Sequence, residues 1–180
     1  MIRLEYFLED DFQQLIDWIP SAEFSMQWGG PSFSYPLTYE QLQNYVTNAN
    51  TSESIKYVFK AVDTINNKAI GHISLVNVDR ANGCARIGRV LVGSTDTRGK
   101  GYGAQIINAI LKFAFEELKL HRVTLGVFDF NHSAIKCYEK AGFKKEDFLH
   151  DYRKIGDEYW SLIEMGILKT EWEAKVDSNN

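Results

Sequence analysis

Arg98-Gly99-Lys100-Gly101-Tyr102-Gly103 sets three glycines at alternate positions between an apolar run, VLVG (90–93), and a strongly apolar segment beginning at Ala104. Glycines there leave backbone N–H groups unshielded, and a helix behind them adds unpaired N–H groups and the positive end of its dipole. Arg98 and Lys100 add charge. The chemistry this points to is the holding of a phosphate or pyrophosphate; the plainer alternative is a tight strand-to-helix turn. A nucleoside-triphosphate loop needs Ser or Thr after its lysine, and Lys100 is followed by Gly101. Gly99-Lys-Gly101-Tyr-Gly103-Ala104 does fit the dinucleotide fingerprint, but antiparallel hairpins precede it, and about 20 residues on stands Lys119, where an acid would hold a ribose.

A second constellation lies in DFNHSAIKCYEKAGF (129–143). Asn131 and Tyr138 are seven apart, two helical turns, and so share a face if a helix starts near Asn131. An amide and a hydroxyl at one edge suit an amide-rich ligand; alternatively Asn131 caps the helix and Tyr138 packs. Both constellations follow strands. A crevice at those strand ends would hold a long ligand with phosphate at one end and amides at the other.

The elements that must position these residues are legible from period and punctuation. IRLEYF reads as a strand, and Phe12, Leu15, Ile16 and Ile19 recur at helical spacing until Pro20. Residues 21–37 read as a short helix and loop, and Thr38 with Gln41 forms a capping-box pattern for a helix through about Val46. From Ile55 the period becomes two: 54–63, 68–79 and 84–93 read as three antiparallel strands joined by turns. A helix follows from about Gly103 to Leu118 with Ile107, Leu111, Ala114 and Leu118 as its apolar stripe. Then come a buried strand (122–128), a helix (133–142) ended by Gly142, and two strands around a turn at Ile155–Asp157. The expected fold class is α/β: a mixed, mostly antiparallel central sheet with helices on both faces. One domain spans 1–180, with 175–180 a frayed tail, and 158–168 is an edge strand able to support a dimer.

Composition bounds the rest. The chain has 180 residues, 44% of them hydrophobic, which suffices for one substantial core. A net charge of -4 argues against a broad nucleic-acid surface. Cys84 and Cys137 read as small buried hydrophobes in a reducing compartment, too few for a disulfide framework or a metal cluster. No apolar run has the length to span a bilayer, and the first residues do not read as a signal peptide. The expectation is a cytoplasmic protein with no metal, no membrane partner and no nucleic-acid partner.

With both motifs quoted, the sequence resembles the GNAT superfamily of N-acetyltransferases, particularly its ribosomal-protein-alanine and polyamine branch. Arg98 to Gly103 matches the family's Gln/Arg-x-x-Gly-x-Gly/Ala motif, and Asn131 to Phe143 matches Asn-x-x-Ala/Ser-x-x-x-Tyr-x-x-x-Gly-Phe. The resemblance implies acetyl-CoA as co-substrate. Its pyrophosphate would lie on the backbone of Arg98, Gly99, Lys100, Gly101, Tyr102, Gly103 and Ala104. Its pantetheine would pair with the main chain of Leu91, Val92 and Gly93, and Asn131 would contact its amides. Tyr138 would protonate the leaving thiolate after direct attack by a primary amine, of a peptide N-terminus or a small molecule. Cys137 is not placed as a nucleophile.

The family's strand glutamate has no counterpart in CARIGRVLV (84–92), which carries Arg86 and Arg89 instead. Glu23, His72 and Asp129 are the candidate bases. The two arginines suit an acidic acceptor or cofactor phosphates better than a polycation. The aromatic run Phe24, Trp28, Phe33, Tyr35 and Tyr39 either lines an acceptor slot or packs helices on the sheet. A monomer or homodimer is implied. The missing glutamate keeps a non-catalytic acyl-CoA-binding or sensing module as the alternative.

Overall fold

The computed structural model describes residues 1–93 and 101–178. Seven strands form one sheet in the order β1-β2-β3-β4-β5-β7-β6. They are β1 (Ile2–Tyr6), β2 (Tyr57–Asp63), β3 (Lys68–Asp79), β4 (Cys84–Val92), β5 (Arg122–Phe128), β6 (Lys144–Ile155) and β7 (Glu158–Leu168). Pairing is antiparallel throughout except between β4 and β5. Six helices accompany them: α1 (Phe12–Asp17), α2 (Ala22–Gly29), α3 (Tyr39–Val46), α4 (Tyr102–Lys112), α5 (His132–Ala141) and α6 (Lys169–Ser178). The mixed, mostly antiparallel sheet expected from the sequence is therefore present.

Alternation along the strands divides the interior in two. Tyr57, Phe59 and Ala61 of β2 and Ile73 and Leu75 of β3 join a core with Ile106, Ile110, Ile135 and Trp172 from α4, α5 and α6. Val58 and Leu91 belong to a second core with Phe12, Leu15, Trp28, Leu42 and Tyr45 from α1, α2 and α3. A period of two thus sends adjacent side chains into opposite layers, and helices cover both faces. In α4 the buried stripe is wider than the sequence reading, taking in Ile106 and Ile110 beside Ile107 and Leu111. A π-type turn over Phe113–Glu117 continues it and buries Ala114 and Phe115.

Local chemistry sets the boundaries. Ser21 Oγ accepts from Phe24 N–H (3.1 Å) to start α2, and Thr38 Oγ1 accepts from Gln41 N–H (3.3 Å) to start α3. Only half of the expected capping box forms: Gln41 turns to Ser34 N–H (2.8 Å) and the Pro36 carbonyl (3.1 Å), pinning the preceding loop. Gly142, at φ 109°, ends α5 in the left-handed region that glycine tolerates.

Two expectations are corrected. Segment 158–168 is no edge: β7 lies between β5 and β6, and β6 is the outer strand. An apolar run such as LIEMGIL suits a strand with neighbours on both sides, whereas the polar, exposed residues of β6 suit the rim. Within the expected frayed tail, 175–180, the described residues are helical: α6 continues to Ser178, anchored by Trp172 against Phe115 at 5.4 Å between ring centroids, and 179–180 lie outside the described residues.

Candidate active site

The site originates in a defect of strand pairing. β4 and β5 run parallel and pair only through Cys84–Arg86 and Arg122–Thr124. Beyond that they part, so the remaining main chain of β4 on that side has no strand neighbour. Two features enforce the separation. On its β3 side, β4 carries one extra residue between Gly88 and Leu91, and Arg89 there adopts φ 54°. Such a bulge kinks the strand, and a left-handed arginine is uncommon enough to mark a functional segment. Trp28 Nε1 donates to the Arg89 carbonyl (3.1 Å) and holds the turn. On the β5 side, Arg86 reaches past β5 to Glu164 of β7 with two hydrogen bonds, 2.6 and 2.7 Å. Gly126 makes this crossing possible, since a Cβ there would collide with the Arg86 Nη2.

The gap connects the two layers. On the α1–α3 side it opens into a cleft of about 830 Å³ lined by Trp28, Phe33, Tyr45, Lys56, Arg89 and Arg153, among others. A smaller chamber of about 80 Å³ continues inward between β4 and β5, where Val90, Leu125, Val127, Asn131 and Tyr138 line it. Of the aromatic run, Trp28 and Phe33 stack at 5.1 Å on the cleft wall, whereas Tyr39 packs on Phe12 and Tyr35 donates to the Pro20 carbonyl (3.0 Å). The run is thus divided, Trp28 and Phe33 lining the cleft and Tyr35 and Tyr39 lying away from it.

Several of the residues singled out from the sequence meet where β4 ends and α4 and α5 begin. Gly101, at φ 76°, is the N-cap of α4, and the first intrahelical bond is Gln105 N–H to the Gly101 carbonyl (3.3 Å). The N–H groups of Tyr102, Gly103 and Ala104 precede that bond and have no acceptor within the helix. The ring of Tyr102 points elsewhere, donating to Asp63 Oδ2 (3.1 Å). A Cβ on Gly103 would lie 3.5 Å from Cys137 Sγ and 3.9 Å from Val92 Cγ2, so the start of α4, the end of β4 and α5 meet there. Leu91 and Val92 end β4, and Gly93 lacks a side chain where the Trp18 indole packs against it. Arg98, Gly99 and Lys100 lie outside the described residues.

Asn131 caps α5, its Oδ1 accepting from Ala134 N–H (3.3 Å), and lines the inner chamber as well. Tyr138 is 8% exposed and joins the core through its ring while facing the chamber. Burial, and secondarily Cys137, raises its phenol well above the usual tyrosine range, so it stays a proton donor. Burial likewise raises Cys137, which leaves it a thiol rather than a nucleophilic thiolate.

None of the candidate bases lines either cavity. Glu23 is exposed on α2, and Asp129 follows β5 half-buried. His72 is fully enclosed beneath the cleft floor, its Nε2 3.2 Å from the Tyr45 hydroxyl and its ring edge-on to Phe7 at 4.6 Å. Burial, followed by the charge of Arg89, pushes it down to about 3, and burial pushes Tyr45 up to about 12. His72 is a neutral core histidine. The sequence reading missed Lys56, Arg153, Tyr45 and Glu164; only Glu164 left a signal, a lone acid within the apolar LIEMGIL. Among the described residues no three His, Cys, Asp or Glu side chains gather as a metal site, and no helix is long and apolar enough to cross a membrane.

The sheet is thus split at its one parallel strand pair, and a glycine-started helix begins at the split. The profile of the acetyltransferase (GNAT) domain matches residues 2–144, and the chain belongs to that family. It is 30% identical over 142 residues to the SPbeta prophage-derived uncharacterized N-acetyltransferase YokL of Bacillus subtilis (strain 168), covering 79% of this chain and 77% of that one. It is 23% identical to an aminoglycoside N(6')-acetyltransferase type 1 of Klebsiella pneumoniae, over 81% and 75% of the two chains. The fold is similar to that of the spermidine N-acetyltransferase from Vibrio cholerae crystallised with CoA and spermine, with a TM-score of 0.82, 20% identity, and 96% and 98% coverage.

Proposed function

We propose that the protein transfers an acetyl group from acetyl-CoA to the primary amine of a peptide N-terminus or small molecule by direct attack. The observation that carries this reading is the gap between β4 and β5, with the cleft of about 830 Å³ on the α1–α3 face and, between the strands, the chamber that Asn131 and Tyr138 line. The residues present fit acetyl-CoA. Unpartnered strand β4 offers main-chain groups to the pantetheine amides, and Gly101, Tyr102, Gly103 and Ala104 offer helix-start N–H groups to the pyrophosphate. When bound, acetyl-CoA supplies an activated thioester acyl group.

The remaining chemistry belongs to this chain. Tyr138 keeps its proton and presents it where the sulfur leaves, stabilising the developing thiolate. Asn131 orients the pantetheine at the chamber wall. Trp28 and Phe33 wall the cleft with apolar surface that excludes water from the thioester. No carboxylate among the described residues lines the cleft, and its cations disfavour an ammonium ion, so the acceptor reacts as the fraction already deprotonated. Among the described residues, catalysis therefore rests on proximity and leaving-group protonation.

The test is acceptor-dependent release of CoA from acetyl-CoA across a panel of amines and peptides, with acetylated product identified by mass. Binding of acetyl-CoA with no acceptor-dependent release would instead establish a sensing module, the reading favoured by the carboxylate-free cleft.

A further inference from the structure

The lining of the outer cleft contains four cationic side chains, Lys56, Arg86, Arg89 and Arg153, and no Asp or Glu. This runs against the chain's net charge of -4. Arg86 is committed to Glu164. The other three make no ion pair among the described residues and are held by aromatic rings. The Arg89 guanidinium lies 4.7 Å from the centre of Tyr45 and 5.2 Å from that of Phe33. Lys56 Nζ approaches the same Tyr45 ring at 5.6 Å, and Arg153 sits 4.2 Å from Tyr152. An aromatic face positions a cation without neutralising it. Arg89 Nε is in addition buried with no hydrogen-bond partner. Burial and the neighbouring Arg89 both lower the Lys56 ammonium, a sign that the positive charges are crowded.

These cations do not serve the phosphates of the co-substrate. Tyr102, at the start of α4, is bonded to Asp63 at the end of β2, whereas Lys56 precedes the first residue of that strand. Seven residues of strand span roughly 23 Å. Arg89 lies with Phe33 and Tyr45 in the α1–α3 layer, across the sheet from α4.

We infer that the amine acceptor carries an anionic group, a carboxylate or phosphate, seated among Arg89, Lys56 and Arg153 while its amine faces the gap between β4 and β5. This rests on the reading of the gap as an acetyl-transfer site. An anion there pairs with the Arg89 guanidinium and offsets the mutual repulsion of the cations, whereas a polyamine would add charge of the same sign. The acceptor is thereby a different chemical class from the spermine held by the Vibrio cholerae structure.

The experiment compares kcat/KM at saturating acetyl-CoA for matched primary amines ending in a carboxylate, a phosphate, a neutral amide or a second amine, with spacers of two to six carbons. Rates are normalised to the free-amine fraction. The expected result is a preference for the anions over the amide of about tenfold or more, with the diamines below the amide. The double variant K56Q/R153Q, on partly exposed side chains, should bring anion and amide to within about threefold while leaving KM for acetyl-CoA unchanged. Equal or better use of amides or diamines overturns the inference, as does a rise in KM for acetyl-CoA in place of the lost selectivity. Absence of turnover with every amine refutes acetyl transfer instead. Saturation-transfer NMR of the same compounds on the CoA-saturated protein then decides the acceptor question: preferential anion binding, lost in the double variant, upholds it, and its absence overturns it.

Discussion

Mild acid should weaken this fold through His72, and the size of the effect follows from where the ring sits. His72 is 1% exposed on β3, enclosed by Phe7, Trp28 and Tyr45, with Arg89 the nearby charge. An imidazolium there would lose its hydration and meet a guanidinium, so the folded protein holds the ring neutral down to about 3, against an ordinary 6.5. The unfolded chain takes up the proton as the pH falls through 6.5 and the folded chain does not. Stability is therefore full above that value and is lost progressively between there and about 3. At about 1.4 kcal/mol per pH unit, lowering the pH from about 7.5 to about 5 removes roughly 2 kcal/mol through this one group. Urea unfolding of the wild type and of His72→Gln at both pH values isolates it, because Gln retains a partner for Tyr45 but does not titrate. The wild type should lose about 2 kcal/mol more than the variant on acidification. Parallel losses would refute the account of His72 and return it to the list of candidate bases.

Other expectations follow from the same geometry. Tyr138→Phe should lower kcat about a hundredfold with little change in affinity for acetyl-CoA; a loss of affinity at constant kcat would make Tyr138 a binding residue. Gly101→Val places a Cβ that meets nothing within 4 Å among the described residues, so it should cost about 2 kcal/mol of backbone strain at φ 76° while abolishing acetyl-CoA binding measured by calorimetry. Unchanged affinity would contradict the phosphate cradle. Gly126→Ala drives a Cβ into Arg86 and should destabilise the fold by about 1–2 kcal/mol in denaturant, whereas the same change made in an Arg86→Ala background should cost markedly less.

The parts of the structure that were legible in the sequence are those fixed by local rules. Period-two runs became β2, β3 and β4, Asn131 and Gly142 bounded α5, and α4 opens at Tyr102, one residue before the expected Gly103. The family resemblance rested on those same two junctions. What was not legible came from long-range placement. No short-range signal reports that β4 leaves β5 after Arg86, since the separation arises from a bulge at Arg89 and an ion pair to Glu164 of a later strand. Nor does alternation alone distinguish an interior strand from an edge, and 158–168 lies inside the sheet rather than at its rim. The outer cleft draws Lys56, Arg89 and Arg153 from the approach to β2, from β4 and from β6, and only the sheet order brings them together.

The central claim is direct acetyl transfer through the gap between β4 and β5. Single-turnover reaction of enzyme with acetyl-labelled acetyl-CoA and a reactive amine tests it most directly. The account predicts that label passes to the amine in one phase, with none on the protein at any time and none released without acceptor. Label accumulating on the protein before the acceptor is added would contradict it.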